Sequence, residues 1–149
     1  MKMSDKTKLA TRVVERMMDK DYFSQWLGIE IKLIEPGKCI LGMKIRKEML
    51  NGFSIAHGGI SFSVADSALA FAANSHGQRS VSVETSISHT EPLMEGDDII
   101  ATAMELNRTN KIAIYSVTIT NQHMRTVALF KGIVYRTSKD WFPEDQIEK

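Results

Sequence analysis

Residues 58–75 read GGISFSVADSALAFAANS, and this stretch decides the fold. It is rich in alanine and free of proline, so a helix is predicted over Gly58 to Ser75. Ile60, Phe62, Val64, Ala65, Ala68, Leu69, Phe71 and Ala72 fall nearly all the way round its circumference. A helix with that distribution is buried on most sides rather than laid on a surface. Asp66 interrupts it, and an ionised carboxylate is costly to bury without a partner. Two readings stand at this point. Asp66 either lies on a narrow polar strip with Ser63 and meets water or a neighbouring backbone, or it is kept for chemistry.

On the N-terminal side of this helix, Leu9, Ala10, Val13, Val14, Met17 and Met18 recur at the spacing of one helical face, with Asp5 as the expected N-cap. A short helix over Tyr22 to Leu27 is predicted to start at Asp21 and stop at Gly28. Ile29, Ile31 and Leu33 then alternate with charged residues. Glu35-Pro36-Gly37 supplies a turn, and Cys39, Leu41, Met43 and Ile45 continue with period two as inward-facing positions. On the other side, strands are predicted over Ser80 to His89, Ile99 to Asn107, Lys111 to Asn121 and Arg125 to Thr137, with turn residues between them. Short connections favour antiparallel pairing of consecutive strands. The chain therefore reads as α+β: a curved antiparallel sheet of about six strands wrapped around one long helix. Residues 1–149 are expected to form one domain, with a helical N-terminal extension over 1–27 and a polar tail over 138–149 that frays or packs on the surface.

Composition narrows the function classes. Hydrophobic residues are 43% and charged residues 25%, which is ordinary for a globular chain. A formal net charge of +1 offers no general attraction to nucleic acid or anionic lipid, so no nucleic-acid partner is expected and any anion site must be local. No stretch has the length and apolarity to cross a bilayer, and none resembles a secretory signal. Cys39 is the sole cysteine and is read as a small core residue rather than a reactive thiol; the cytoplasm is the expected compartment. His57, His76, His89 and His123 are scattered without ligand spacing, so no metal site is expected. Gly59-Ile60-Ser61-Phe62-Ser63 lacks the last glycine of a serine-hydrolase elbow.

Gly58-Gly59 stands at the predicted helix start, where unpaired N–H groups and the helix dipole favour negative charge. Taken alone, His57-Gly58-Gly59 is only a tight turn before a helix. Combined with Asp66, it suits thioester hydrolysis. A thiolate with a pKa of roughly 8.5 leaves with little help from an acid. The enzyme then needs chiefly an N–H donor for the oxyanion and a carboxylate to attack or to activate water. Eight residues of helix span about 12 Å, too far for both groups to reach one carbonyl within one chain. If they act together, Gly58 of one subunit must meet Asp66 of another, as two antiparallel helices about a two-fold axis would allow.

These residues also carry a family resemblance. Asn51-Gly52, His57-Gly58-Gly59 and Phe62 through Asp66, in this order and spacing, resemble the PaaI-type (phenylacetic acid degradation) acyl-CoA thioesterases of the hotdog superfamily. Weaker similarity extends over about residues 20 to 137, including Val127 to Gly132. The resemblance implies the hotdog fold and hydrolysis of acyl-CoA by a homodimer or a dimer-of-dimers tetramer. No cofactor is implied, since coenzyme A is part of the substrate. It casts Asp66 as nucleophile or general base and the Gly58 N–H as the donor that polarises the carbonyl across the subunit interface. Asn51 helps hold the carbonyl or the water, His57 sets the loop geometry, and Ser82 matches a serine some relatives use. Asn51 and Ser82 also have bland readings, as a turn residue and a solvent-facing strand position. Gly59 and Phe62 join the substrate-binding set. Arg108 and Lys111, with Arg79 and Arg136 behind them, are the candidates for the carrier phosphates. Many relatives carry Arg before the proline that ends the third strand, whereas this chain has Glu91-Pro92. Phe53, Ile55, Phe62, Leu69 and Phe71 suit either an aryl or medium-chain acyl pocket or ordinary core packing.

Two rivals follow from the same residues. A hotdog dehydratase or hydratase places its carboxylate further along the helix, where this chain has only Ala and Phe around Phe71. A non-catalytic acyl-CoA-binding module has no need of a costly buried carboxylate.

Overall fold

The computed structural model describes residues 2–146. Helices α1 (Asp5–Met18) and α2 (Tyr22–Leu27) precede strands β1 (Glu30–Glu35) and β2 (Lys38–Lys44). The long helix α3 (Gly58–Asn74) follows, then β3 (Gln78–His89), β4 (Asp98–Arg108), β5 (Ile112–Thr120) and β6 (Thr126–Asp140). The six strands form one sheet in the order β1-β2-β4-β5-β6-β3, and every pairing is antiparallel. Consecutive strands pair at β1-β2, β4-β5 and β5-β6, as short connections favour. β3 departs from this: the chain crosses through α3 before it and adds it beside β6. Among the described residues one edge of β3 is therefore left without a partner strand, with Val81 and Val83 exposed.

α3 packs against β2, β3, β4, β5 and β6, which is why its sequence is apolar nearly all round. Val64, Ala65, Ala68, Leu69, Phe71 and Ala72 are buried against Leu41, Met43, Ala101, Tyr115 and Phe130 among others in one continuous core. The sheet does not cover the whole helix. Gly59, Ser63, Asp66 and Ala70 stay at least partly accessible, and their spacing of four, three and four residues places them on one face. Gly132 of β6 lets the helix approach, since a Cβ there would lie 2.4 Å from Leu69 Cδ2.

Several local expectations need correction. Ser4, not Asp5, caps α1, because its hydroxyl accepts from the Thr7 N–H at 3.1 Å while Asp5 is already helical. Ile31 is exposed rather than inward, because the β1-β2 register shifts between Ile31 and Leu33 and Ile34 takes the place against the core. The predicted cap of α2 at Asp21 and the left-handed stop at Gly28 are both present. Cys39, Leu41, Met43 and Ile45 are all buried, and burial pushes the Cys39 thiol up to about 12, which leaves it protonated and inert.

The chain after Ser138 does not fray over its described part. β6 runs on to Asp140, the Trp141 Nε1–H donates to Asn74 Oδ1 at 2.8 Å, and Arg12 lies 4.1 Å over the Phe142 ring. The last part of the predicted tail, residues 147–149, lies outside the described residues.

Gly132→Ala is expected to destabilise the fold by about 1–3 kcal/mol, because the added methyl overpacks the Leu69 contact. Gly52→Ala, where an added Cβ meets nothing within 4 Å, should stay within about 0.5 kcal/mol. Urea denaturation midpoints of the two variants check this pair.

Candidate active site

The start of α3 is held by a web of short-range bonds. His57 caps the helix, and its Nδ1 accepts from the Gly59 N–H at 3.0 Å. The His57 carbonyl accepts from the Ile60 N–H at 2.9 Å, and its own N–H donates to the Met49 carbonyl at 2.8 Å. His57 therefore sets the loop geometry, and in doing so it consumes the Gly59 N–H. The Gly58 N–H is left without an acceptor among the described residues, as the first turn of a helix dictates. It lines a hollow of about 380 Å³ with Asn51, Ile55, Ser61, His89 and Leu93. Asn51 is a turn residue here: its Oδ1 accepts from the Phe53 N–H at 2.9 Å, and its backbone closes on Ile55.

His89, at the end of β3, is a member of this hollow that the sequence did not disclose. Its Nε2 lies 2.9 Å from Ser61 Oγ and 3.3 Å from the Gly58 carbonyl, while Ser61 Oγ donates to that same carbonyl at 3.1 Å. The imidazole covers Gly58 so closely that a Cβ there would sit 3.1 Å from its Cε1. No spacing motif links His89 to His57; only the β3-α3 packing does.

Asp66 lies two turns further along α3 and opens on a second hollow of about 370 Å³, shared with Met17, Asn74, Arg79, Ser82 and Trp141. Among the described residues it makes no hydrogen bond or ion pair. Burial, and then the negative charge of Asp21, hold its carboxyl above the usual range. Asp21 is itself fixed: its carboxylate accepts from the Ser24 N–H at 3.0 Å and from the Ser24 hydroxyl at 2.6 Å. With that proton committed, the Ser67 hydroxyl donates to Ser24 Oγ at 2.8 Å, tying α2 to the residue beside Asp66.

The predicted site residues thus fall into two groups. Asp66 and Ser82 share one hollow; Gly58 and Asn51 share the other, with His57 capping beside it. Phe62 lines neither and packs edge-on against Phe130 at 5.4 Å. Of the proposed acyl-pocket residues, Phe71 is in the core, Leu69 lines the Asp66 hollow, Ile55 lines the Gly58 hollow, and Phe53 is exposed. Arg108 shares a hollow with Ser75 and His76, just after α3, and faces Glu105 at 3.5 Å, while Lys111 lies 5.9 Å over the Tyr135 ring. Arg79 stacks on Trp141 at 4.9 Å. Glu91 accepts from Arg125 Nε at 3.0 Å. No cluster of three or more metal-ligating side chains occurs among the described residues.

A long helix wrapped by one curved antiparallel sheet defines the hotdog fold. Residues 53–128 match the family model described as Thioesterase superfamily, and the chain belongs to that family of enzymes. It is 37% identical over 120 residues to the acyl-coenzyme A thioesterase PaaI of Escherichia coli, covering 80% of this chain and 86% of that one. It is 32% identical over 123 residues to human acyl-coenzyme A thioesterase 13, covering 80% and 88%. The E. coli PaaI structure superimposes with a TM-score of 0.88 at 34% identity, covering 90% of this chain and 97% of that chain. The PaaI-type resemblance read from the sequence is borne out.

The raised Asp66 carboxyl has a consequence for stability. The native state holds this proton more tightly than the unfolded chain, so stability is lost as pH rises through the native pKa. Asp66→Asn removes that loss and is expected to raise the Tm at pH 7. The gap between the two proteins should close as pH falls into the ordinary carboxylate range. Thermal melts across that window check the sign, and a lower Tm for the variant at pH 7 overturns it.

Proposed function

We propose that the chain hydrolyses acyl-coenzyme A thioesters in a site shared between two subunits, with Asp66 from one and the Gly58 N–H from the other. One observation carries this reading: the open N–H and the unpaired carboxylate belong to the same helix, two turns apart, in two separate hollows. Neither hollow holds both groups, and a second copy related by a two-fold axis would bring them together. The uncovered strip of α3 and the unpaired edge of β3 are the surfaces such a copy would meet. The assembly we infer is a homodimer, or a tetramer built from two.

In this site the thioester oxygen accepts from the Gly58 N–H, which the dipole of α3 strengthens as charge develops. Asp66 takes a proton from water as the water oxygen bonds to the acyl carbon. The carbon–sulfur bond then breaks, and the thiolate leaves as coenzyme A, recovering the proton from Asp66. Direct attack by Asp66 followed by hydrolysis of the anhydride gives the same products, and solvent-oxygen labelling in a single turnover separates the two routes. The elevated carboxyl suits either role by making the carboxylate more basic. Asn51 helps hold the carbonyl or the water, His57 holds the loop from which Gly58 projects, and Ser82 stands in the hollow with Asp66. Acyl groups of aryl or medium length, carrier phosphates held by basic side chains such as Arg108 and Lys111, and a cytoplasmic location complete the reading.

Asp66→Asn is expected to bind acyl-CoA as the parent does while lowering kcat by about 100- to 10,000-fold. Gly58→Pro removes the N–H at the one helical position that tolerates proline but also sets a Cβ 3.1 Å from His89 Cε1. Measured against Gly58→Ala, which adds that Cβ and keeps the N–H, it should lower kcat by about 100- to 1,000-fold. Because each variant spoils a different half of the site, mixed dimers regain one intact site in two. Unfolding and refolding an equal mixture should restore about a quarter of the parent thiol release. A mixture no more active than its separate components, in which hybrid dimers are shown to form, sinks the shared site.

A further inference from the structure

α3 carries three serines, and two of them behave as serines inside a helix do. Ser61 Oγ donates to the Gly58 carbonyl at 3.1 Å and Ser63 Oγ to the Gly59 carbonyl at 2.6 Å, each returning its proton to the preceding turn. Ser67 does not. Its side chain's one hydrogen bond among the described residues runs out of the helix, 2.8 Å to Ser24 Oγ on α2. Both serines are buried, so neither hydroxyl can fall back on water.

The direction of these bonds is set from outside the helix. The Asp21 carboxylate takes the Ser24 N–H at 3.0 Å, which is the ordinary work of an N-cap. It also takes the Ser24 hydroxyl at 2.6 Å, a charge-assisted bond that a cap does not require. An ionised carboxylate only accepts, so the protons run from Ser67 to Ser24 to Asp21 and have no second arrangement. The row begins at the residue next to Asp66. Among the described residues, charged groups face Asp66 from two elements: Asp21 before α2, and Arg79 of β3, which lines the hollow but lies over the Trp141 ring. Met17 of α1 and Trp141 after β6 bring no charge to it.

We propose that Asp21 is a positioning residue for the reaction: through Ser24 and Ser67 it holds the turn of α3 that presents Asp66. This rests on the hydrolase reading above. A carboxylate that must meet an acyl carbon held by another subunit gains from a fixed backbone, since small misplacements of a reacting group cost rate steeply. The negative charge of Asp21 acts at the same place, adding to burial in holding the Asp66 proton.

Asp21→Asn keeps the cap acceptor, removes the charge and turns an N–H towards Ser24, which reverses the order of the protons. Ser67→Ala cuts the row and leaves a good helix former. With the aryl or medium-chain acyl-CoA that the parent cleaves fastest, each variant should lose kcat by about three- to tenfold at an unchanged KM. The double variant should lose no more than the worse single one, because both changes break one row. The acidic limb of the kcat profile, where Asp66 must be ionised to act, should move to lower pH in Asp21→Asn. The Asp66 carboxyl titration, followed by carbon-13 NMR without any substrate, should move the same way. Any of three results overturns the proposal: losses that multiply in the double variant, no loss in either single variant, or an Asp66 titration unmoved by Asp21→Asn. A parent protein that cleaves no ester counts against the hydrolase reading instead, and the titration alone then decides whether Asp21 acts on Asp66.

Discussion

A seventeen-residue apolar helix must hide most of its circumference, and a single curved sheet cannot reach all of it. Everything distinctive in this molecule follows from what is left over. Five strands close around α3, and the remaining face carries Gly59, Ser63, Asp66 and Ala70. Three of these residues are small and the fourth is acidic. A face of small side chains lets another backbone come near, and the acid among them is the one group that gains nothing from the protein's own core. The same incompleteness leaves β3 at an open edge beside that face.

The fold tolerates the acid by buttressing its surroundings rather than by neutralising it. Among the described residues no cation pairs with Asp66, although Arg79 lines the same hollow. A chain from Asp21 through Ser24 to Ser67 fixes the neighbouring turn, and burial, with the charge of Asp21, raises the carboxyl's pKa. A salt bridge would have lowered the pKa and stabilised the fold. Leaving the carboxylate unpaired forgoes that stabilisation. At the other end of the helix the logic is reversed. Glu105 is held ionised despite burial because Tyr115 and His76 bond to it, so that end is built around a satisfied carboxylate with cations in excess.

The parts legible in the sequence were those with a strong period or a specific cap. The helix over 58–75, the inward run Cys39-Leu41-Met43-Ile45, and the limits of α2 at Asp21 and Gly28 each rest on local chemistry that tertiary contacts reinforce. The parts that were not legible depend on non-local pairing. A register shift in β1 exchanges Ile31 for Ile34 at the core, and nothing in the alternation marks it. The placement of β3 beside β6 requires knowing where the chain goes after α3. For the site, Asp66 and Gly58 stood out because each is odd for its setting. His89 did not, because a histidine at a strand end is unremarked until packing lays it over Gly58. Arg108 was read as a basic residue flanking a turn, and the structure places it in one hollow with Lys6 and Arg136, which lie far from it in sequence.

The indole of Trp141 forms part of the wall around Asp66, anchored through Asn74 and covered on one face by Arg79. The other tryptophan, Trp26, sits half open to water on α2, stacked with Phe23. The chain thus carries a natural fluorophore at the rim of its carboxylate hollow and a solvent-facing one on α2. Emission from the anchored ring offers a label-free optical signal of whatever enters beside Asp66.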